Sequence, residues 1–474
     1  MRNKTSKANS VHTLSDEEDT IAAIGTPMGR AGIGIVRISG PMAYGIARKI
    51  FKPKRPVQSF ESHRLYLGNL LDPATGNIID EVLLSYMKSP NSYTREDVIE
   101  INSHSGHLLL SKILEMVLEL GARLARPGEF TLRAFLNGRI DLTQAEAVID
   151  LINSRSERGL YLATQQLGGS FRKQIESLRE KIIGLLAQVE VAVDFPDEEE
   201  EIISRDEAAR QIEAELIRPI DSLIEEHAKS RIWVDGIGTA IVGRVNAGKS
   251  SLLNRLLNEQ RAIVTPIPGT TRDVIESTIN IRGLPLRLMD TAGFGQARDE
   301  VERIGIHLTQ KKLDEADFLL AVIDQSRPMN QDDWSIVSRC KGKKTLIVIN
   351  KIDLPPRLNT DALGELSALF PVVKISALTG EGINGLKDTI SDYLMEGDLD
   401  LTSSGAGASV RHSHTLSEAA RFFRGAAKGA KDRAPMEIIA LELKSGLDAL
   451  GEIIGETTTE EVLERIFSDF CIGK

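Results

Sequence analysis

The sequence has few cysteines and no long apolar run. Its two cysteines, Cys340 and Cys471, are far apart and lack metal-ligand spacing, so a reducing compartment is the simplest inference. No apolar stretch approaches the ~20 residues of a membrane span. The opening MRNKTSKANS is polar and lacks the apolar core of a secretory signal. We therefore expect a cytoplasmic protein without a membrane anchor and a disordered tail over residues 1–16.

The sequence also lacks a basic excess. Its 58 lysines and arginines are outnumbered by 68 aspartates and glutamates, and the formal net charge is −10. This balance argues against a protein that simply coats nucleic acid, although a local basic patch stays possible. A hydrophobic content of 41% is enough for proper cores. The length of 474 residues favours about three domains.

One segment fits a phosphate-binding loop. Residues Gly243 to Ser250 match G-x-x-x-x-G-K-[ST], after the apolar strand 239–242 and before a helix rich in leucine. The glycines allow backbone N–H groups to approach phosphate oxygens, and the helix directs its positive end at the anion. Lys249 is expected to contact the β- and γ-phosphates, and the Ser250 hydroxyl can ligate Mg²⁺.

Three further motifs follow in the order expected of a GTP-binding domain. Asp290 to Gly293 reads D-x-x-G at the end of a strand, and Asn350 to Asp353 reads N-K-x-D at the end of another. The Asp353 carboxylate can accept two hydrogen bonds from the guanine edge, which adenine cannot offer. Residues Ser376 to Leu378, after strand 371–375, can support the base from behind.

The N-terminal region, about residues 17–135, reads as a small α+β domain. Strands are predicted near 21–24, 34–38, 82–86 and 97–101, with a helix over 108–120. The glycine-rich stretch 29–34 does not lead into a dinucleotide helix, so a Rossmann reading is rejected. Arg37 and Glu100 lie on strands, where a charged side chain usually points to solvent.

The helical region is divided by the nucleotide domain. Thr143–Glu146 and Thr415–Glu418 resemble capping boxes, and an apolar stripe from Phe171 to Val193 predicts core packing. Helices predicted over 438–450 and 458–470 need a partner, and the simplest solution packs them on residues 140–230. The predicted fold class is multidomain α/β plus α, with an α+β N-terminal domain, a discontinuous all-α helical domain and an inserted Ras-like P-loop GTPase domain. The predicted domains are 17–135, 136–232 with 397–474, and 233–396.

The chain resembles the bacterial tRNA-modification GTPase family usually called MnmE or TrmE. The resemblance runs from Asp19 to Lys474 and is carried by P-G-E-F-T-L-R-A-F-L-N-G-R over 127–139, the four GTP motifs, and the terminal F-C-I-G-K. It implies a homodimer formed through the N-terminal domain, and a heterotetramer with the FAD-dependent partner MnmG. Together the two proteins add an aminomethyl or carboxymethylaminomethyl group to C5 of the wobble uridine, position 34, of certain tRNAs.

The resemblance also implies a site for a one-carbon donor, either 5-formyl- or 5,10-methylene-tetrahydrofolate. The matching folate contacts are Arg37, Glu100, Arg139 and Lys474. Arg139 stands where many members have lysine, which keeps the charge but changes the donor geometry. Cys471 matches a cysteine discussed as a catalytic thiol in the family, while a free thiol in a mobile tail is the alternative. Cys340 is interpreted as structural.

GTP hydrolysis needs a group that orients water. The position that holds glutamine in many small GTPases is Phe294, which cannot do this, and Gln296 is a weaker candidate. The family pattern points to Glu302 as the catalytic residue, acting through an intervening water. A helix-surface carboxylate is the alternative for Glu302.

No arginine finger is evident, and the resemblance implies K⁺ in its place. The matching K⁺ ligands are the side chains of Asn246 and Thr270 and the carbonyls of Thr265 and Ile267, while Thr271 joins Ser250 on Mg²⁺.

Two competing hypotheses are a ribosome-assembly GTPase that binds RNA directly and a mechanical GTPase without one-carbon chemistry. The full set of predicted GTP contacts is Asn246, Ala247, Gly248, Lys249, Ser250, Ser251, Thr265, Pro266, Ile267, Pro268, Gly269, Thr270, Thr271, Asp290, Thr291, Ala292, Gly293, Asn350, Lys351, Ile352, Asp353, Ser376, Ala377 and Leu378.

Overall fold

A computed structural model describes residues 19–194, 203–261, 277–289, 315–395, 409–468 and 470–474. The predicted tail over 1–16 and most of the loop predicted over 401–409 lie outside the described residues. The described chain forms two compact units. The N-terminal unit contains residues 19–146 and 454–474, and the central unit contains the described residues between 147 and 453.

The N-terminal unit is built on a seven-stranded sheet in the order β3-β4-β5-β6-β2-β1-β7. All neighbouring strands are antiparallel except β1 and β7, which run parallel. The strands are β1 (Ile21–Ile24), β2 (Gly34–Ser39), β3 (Phe51–Pro53), β4 (Arg64–Leu71), β5 (Ile78–Met87), β6 (Val98–Ser103) and β7 (Arg123–Leu124). The helices are α1 (Ala43–Ile50), α2 (His107–Glu119), α3 (Glu129–Leu136), the start of α4 (Leu142–Asn153) and α15 (Glu460–Ser468).

Alternation along the strands creates the core of this unit. Val36 and Ile38 of β2 are fully buried, as are Leu84 of β5 and Ile101 of β6, and they join the apolar faces of α1 and α2 in one cluster. Period-two patterning places such residues on one face of a sheet. The predicted strands and the helix over 108–120 are therefore confirmed.

A buried charge network connects the start of β1 to α3. The Arg133 guanidinium is about one-tenth exposed and forms ion pairs with Asp19, Glu96 and Glu129. Arg123 pairs with Asp19 and Glu129 from the other side. Burial alone would raise the pKa of the Glu129 carboxyl, but the hydrogen bond from Arg123 and the other donors hold it below its usual range. Removing one partner would leave a buried charge without compensation, so the network fixes α3 against β1.

The central unit contains several helices outside its sheet, one of them long and amphipathic. They are α5 (Glu157–Leu167), α6 (Ser170–Asp194), α7 (Arg205–Gln211), α8 (Arg218–Asp235), α13 (Val410–Lys431) and most of α14 (Met436–Ile454). A π-helical segment, Ile212–Ile217, joins α7 to α8. Pro219 follows it and has no N–H to donate to the preceding turn, which accounts for the irregular winding.

The apolar stripe of α6 is buried as predicted from Phe171 to Val189. Helix α13 packs on α7, the π-helical segment and α8, so residues 410–431 lie on the earlier helices. The docking of 438–450 on residues 140–230 stays a prediction. Phe171 contacts two buried histidines, with ring centroids 4.7 Å from His227 and 5.0 Å from His412. Neither His227 nitrogen has a hydrogen-bond partner among the described residues. Burial lowers the His227 pKa to about 3, so its imidazole is neutral in the folded protein.

The rest of the central unit is a six-stranded sheet in the order β13-β12-β11-β8-β10-β9, with only β9 antiparallel. Its strands are β8 (Ile237–Val242), β9 (Ser277–Ile281), β10 (Leu284–Leu288), β11 (Phe318–Asp324), β12 (Lys344–Asn350) and β13 (Val372–Lys374). Its described helices are α9 (Lys249–Arg261), α10 (Gln331–Arg339), α11 (Thr360–Leu369) and α12 (Ile383–Met395). Continuous apolar strands with helices on both faces are typical of parallel sheets, and the predicted fold class is confirmed. Across the described residues, every helix is too short or too polar to cross a bilayer.

Two predicted helix caps are wrong. Asp141 begins α4, accepting a hydrogen bond from the Gln144 N–H at 3.0 Å, so Thr143 lies inside the first turn. Ser409 and His412 form the capping box of α13, and Thr415 is buried in the helix interior. In each case a better acceptor lies a few residues upstream, and its side chain caps the first turn.

The last helix does not pack where the sequence predicted. Helix α15 contacts α3 within the N-terminal unit, and residues 454–474 belong to that unit. Its apolar side is short and aromatic: Phe467 and Phe470 are buried with ring centroids 5.3 Å apart. Gly128 makes this approach possible, because a Cβ atom there would lie 2.6 Å from the Phe467 carbonyl oxygen.

We predict that Phe423→Ala lowers the free energy of unfolding by about 3–5 kcal/mol. The Phe423 ring is fully buried on α13 and lies against Gly446 of α14, so its removal leaves a cavity. Urea unfolding followed by circular dichroism measures the change. The neighbouring Phe422 is only half-buried, and Phe422→Ala is the matched control, expected to cost much less. Equal losses for the two variants would contradict the assigned packing.

Candidate functional site

The sheet of the central unit brings three sequence motifs to one edge. Strand β8 lies between β11 and β10, and chain connections leave it in both directions. Ligands of open parallel sheets bind at such a switch point, outside the carboxyl ends of the strands. The loop 243–248 follows β8, the N-K-x-D turn starts at Asn350, the last residue of β12, and Ser376 comes soon after β13. All three therefore face the same crevice.

The loop after β8 is tightly wound. Gly243 and Gly248 have φ of 148° and 100°, values that favour glycine, and Asn246 has φ of 65°. A Cβ atom on Gly243 would overlap the Val322 carbonyl, and one on Gly248 would overlap Asn350 Nδ2. Helix α9 begins at Lys249, so its unpaired N–H groups border the loop, as a phosphate site requires.

Lys249 is folded over this loop. Its Nζ donates to the carbonyl oxygens of Gly243 at 2.7 Å and Arg244 at 2.9 Å. Burial lowers the pKa of the Lys249 ammonium group. A bound phosphate would compensate this half-buried charge, so the lysine lies where an anion is electrostatically favoured.

The Asn350 side chain joins the three motifs. Its Nδ2 donates to the Ala247 carbonyl at 2.9 Å, and its Oδ1 accepts from the Ala377 N–H at 3.0 Å. The Ser376 hydroxyl donates to Asp353 Oδ1 at 2.6 Å, which orients the carboxylate predicted to contact guanine. Both Leu378 and the loop residue Val245 are largely exposed beside this crevice.

Several predicted site residues lie outside the described part of the chain. They include Glu302, the switch residues Thr265, Pro266, Ile267, Pro268, Gly269, Thr270 and Thr271, and the D-x-x-G residues Asp290, Thr291, Ala292 and Gly293. Their assigned roles stay predictions. Of the predicted Mg²⁺ and K⁺ ligands, the structure describes Ser250, in the first turn of α9, and Asn246, exposed in the loop.

In the N-terminal unit, two of the predicted folate contacts pair with each other. Arg37 and Glu100 are opposite one another on β2 and β6, with Arg37 Nε donating to Glu100 Oε1 at 2.9 Å. Arg37 also donates to the Gly473 carbonyl at 2.9 Å. The expectation that these charges point to bulk solvent is wrong, since both side chains are only about one-fifth exposed.

Aromatic rings extend this cluster. The Arg37 guanidinium carbon lies 5.6 Å from the Phe130 ring centroid and 6.0 Å from that of Tyr93. The Arg139 guanidinium lies over the Tyr93 ring, 4.7 Å from its centroid, and donates a hydrogen bond to the Tyr93 carbonyl. The arrangement offers two cations, one carboxylate and aromatic surface, a set suited to a flat, polar heterocycle with an anionic tail.

The chain terminus is held beside the same cluster. Pro127 and Ile472 form an isolated β-bridge. Gly473 has φ of 97°, and a Cβ atom at this position would lie only 2.5 Å from the Ile24 carbonyl oxygen. Lys474 is half-buried and donates its N–H to the Cys471 carbonyl. Cys471 is exposed, whereas Cys340 is buried and its pKa is raised to about 11 by burial, as a structural cysteine requires.

Sequence reasoning missed Tyr93, Phe130 as an arginine platform, and the Gly473 carbonyl. Phe130 lies within the recognisable segment 127–139, but nothing in that pattern reveals what its ring contacts. Tyr93 lies in a polar loop between β5 and β6, where periodicity gives no signal. The positive φ of Gly473 is a feature that only the coordinates reveal.

The parallel sheet, the phosphate loop and the N-K-x-D turn define a P-loop GTPase. The family model of the MnmE helical domain matches residues 142–471, and that of the GTP-binding protein TrmE N-terminus matches residues 20–139. Among curated relatives, the tRNA modification GTPase MnmE of Natranaerobius thermophilus is 43% identical over 96% of this chain and 100% of its own length. That of Thermoanaerobacter pseudethanolicus is 44% identical over 96% and 99%. The chain therefore belongs to the tRNA modification GTPase MnmE family.

Two solved structures are similar to part of this chain. The G domain of the T. maritima FeoB iron transporter is 26% identical, with a TM-score of 0.24, over 34% of this chain and 99% of that chain. Aquifex aeolicus Era bound to GDP and aluminium fluoride is 29% identical, with a TM-score of 0.26, over 39% and 66%.

We predict that Gly248→Ala abolishes binding of a fluorescent GDP analogue while the protein stays folded. The added methyl group would overlap Asn350 Nδ2, and φ of 100° is unfavourable for alanine. Fluorescence titration measures the affinity, and circular dichroism measures the fold. Gly385→Ala is the matched control in the same unit, because a Cβ atom there meets nothing within 4 Å. Binding by Gly248→Ala at the affinity of the unsubstituted protein would contradict the assignment.

Proposed function

We propose that this protein is a K⁺-activated GTP hydrolase that acts with MnmG. The pair adds an aminomethyl or carboxymethylaminomethyl group to C5 of the wobble uridine, position 34, of certain tRNAs. A 5-formyl- or 5,10-methylene-tetrahydrofolate supplies the carbon. One observation carries the proposal: a chain similar to the MnmE relatives over nearly its whole length contains a phosphate loop with an N-K-x-D turn and a separate Arg37–Glu100–Arg139 cluster.

We propose that GTP is bound by residues 246–251, 265–271, 290–293, 350–353 and 376–378. Ser250 and Thr271 would hold Mg²⁺, and Asn246, Thr265, Ile267 and Thr270 would hold K⁺. The described ligands fit these ions: both offer oxygen, and the exposed Asn246 turns outward from the loop in a left-handed conformation that asparagine tolerates. A cation there supplies the positive charge that an arginine finger gives other GTPases. Glu302 would orient the attacking water.

The cluster in the N-terminal unit supports folate binding by Arg37, Glu100, Arg139 and Lys474. The N–H groups along one edge of a reduced pterin can donate hydrogen bonds to a carboxylate such as that of Glu100. The glutamate tail of a folate is anionic. Tyr93 and Phe130 add aromatic surface beside the two arginines. Cys471 is exposed, and the next residue, Ile472, forms a β-bridge with Pro127. An accessible thiol in a segment held in place supports the proposed catalytic role of Cys471.

The N-terminal unit also has a surface that fits the proposed homodimer. Leu65 and Leu67 of β4 are 62% and 49% exposed on one face of the sheet, and Leu83, opposite Leu67 on β5, is 39% exposed. Adjacent exposed leucines on a sheet mark a contact surface. We further propose the heterotetramer with MnmG and a cytoplasmic location.

Nucleoside analysis of tRNA from cells lacking this chain tests the proposed function. We expect the modified wobble uridine to disappear and to return when the unsubstituted protein is supplied. Glu100→Gln should bind a reduced folate at least about tenfold more weakly and should not restore the nucleoside, because the amide cannot replace the charged acceptor. Glu115→Gln changes an exposed glutamate in the same unit and serves as the control. An unaltered nucleoside profile in the deletion strain would refute the proposal.

We predict that K⁺ stimulates GTP hydrolysis and that Na⁺ does not. An arginine finger is worth ~10³–10⁵ in rate, and a fixed cation at that place should supply a comparable charge. Phosphate release is measured in KCl and in NaCl at equal ionic strength. Asn254→Ala changes an exposed residue of α9 outside the predicted ligand set, and as the control it should respond to the two salts as the unsubstituted protein does. Equal rates in the two salts would remove the cation mechanism and leave the nucleotide assignment intact.

A further inference from the structure

An ion pair at the N-K-x-D turn joins Lys351, which belongs to that motif, to Asp324, which lies outside all four GTP motifs. Lys351 Nζ donates to Asp324 Oδ2 at 2.6 Å, with the Asp324 side chain 7% exposed and that of Lys351 27% exposed. Asp324 is the last residue of β11, and it lies opposite Asn350 of β12. The lysine stem therefore spans from the end of one strand to the end of the next.

The rest of the Asp324 carboxylate is also fixed. Its Oδ1 accepts the Ser326 N–H at 2.9 Å and the Ser326 hydroxyl at 2.6 Å. Burial would raise the pKa of Asp324, but the hydrogen bonds from Lys351 and Ser326 keep it below its usual value. Arg327 is more distant, at 3.9 Å, and largely exposed. A carboxylate with both oxygens bonded has one orientation, so it fixes its lysine partner.

The location of the pair relates it to the nucleotide rather than to the sheet. Strands β11 and β12 are already paired along seven residues each, so the ladder does not need a side-chain tie at its end. Asp324 borders a shallow surface depression together with the phosphate-loop residues Arg244, Val245 and Ala247. Lys351 has φ of 68° and is two residues before Asp353, whose carboxylate is oriented by Ser376. A left-handed lysine costs free energy that a purely structural tie would not require.

We propose that Asp324 is a positioning residue for guanine-nucleotide binding that acts through Lys351. The ion pair holds the four-carbon lysine stem extended beside Asp353, where it forms an apolar wall for one face of the base. Long lysine stems cover flat apolar surface in this way while the charged end stays bonded. The inference rests on GTP binding at this site and assigns a role to a residue outside the N-K-x-D motif.

The experiment measures the dissociation constant and dissociation rate of a fluorescent GDP analogue for the full-length protein. Asp324→Asn should weaken binding about tenfold, mainly through faster dissociation, because a neutral amide holds the ammonium group less firmly. Asp324→Glu, which keeps the charge, should recover most of the affinity. In a Lys351→Ala background, Asp324→Asn should change the affinity less than about twofold, since its effect is transmitted by the lysine.

Asp388→Asn is the matched control, because it breaks an exposed ion pair with Arg282 in the same unit and should leave the affinity unchanged. Unchanged affinity in Asp324→Asn overturns the proposal, and so does an equal loss in the Lys351→Ala background. Tighter binding also overturns it, because Asp324 would then compete with the nucleotide for the lysine. If Asp324→Asn does not fold, Lys351→Met tests the pair from the other side, and wild-type affinity there overturns the proposal. Failure of the unsubstituted protein to bind the analogue overturns GTP binding itself.

Discussion

The nucleotide site depends on one buried amide. Asn350 bonds the carbonyl of Ala247 and the N–H of Ala377, so a single side chain fixes the phosphate loop and the base-supporting turn relative to β12. The amide is 2% exposed, and loss of either bond would leave a buried polar group unsatisfied. This contact also explains why position 248 must be glycine, since the Asn350 amide occupies the space of a side chain there. Motifs that are more than a hundred residues apart in the chain thus specify each other's geometry.

The N-terminal unit uses charge for the same purpose. The Arg133 and Arg123 guanidiniums connect β1, the loop before β6 and α3, and α3 in turn carries the Phe130 ring that lies near Arg37. Asn137 donates to the Thr94 carbonyl, which holds the loop containing Tyr93. The cluster of Arg37, Glu100 and Arg139 is therefore supported by ion pairs beneath it. Paired buried charges specify one arrangement, because most alternatives leave a charge without a partner.

Much of this architecture could be predicted from the sequence because it is local. The strands at 21–24 and 239–242 and the long stripe of α6 follow from periodicity, and the phosphate loop follows from glycine spacing. The caps at Asp141 and Ser409 were missed because several acceptors compete within a few residues, and geometry decides among them. The position of α15 and the contacts of Tyr93, Gly473 and Asp324 depend on pairings between residues far apart in sequence. Such pairings leave no periodic signal in the residues that form them.

The buried His227 makes the stability of the helical part of the central unit depend on pH in the acidic range. Its imidazole is buried beside Phe171 and has no hydrogen-bond partner in the part of the chain that the structure describes. Burial lowers its pKa to about 3, against an ordinary value of about 6.5 in the unfolded chain. Because folding depresses the pKa of His227, the stability that its neutral imidazole contributes is complete above pH ~6.5 and declines as the pH falls toward 3. Mildly acidic buffers therefore act on the bundle through proton uptake by the denatured ensemble. Purification and storage are best carried out on the neutral side of that interval.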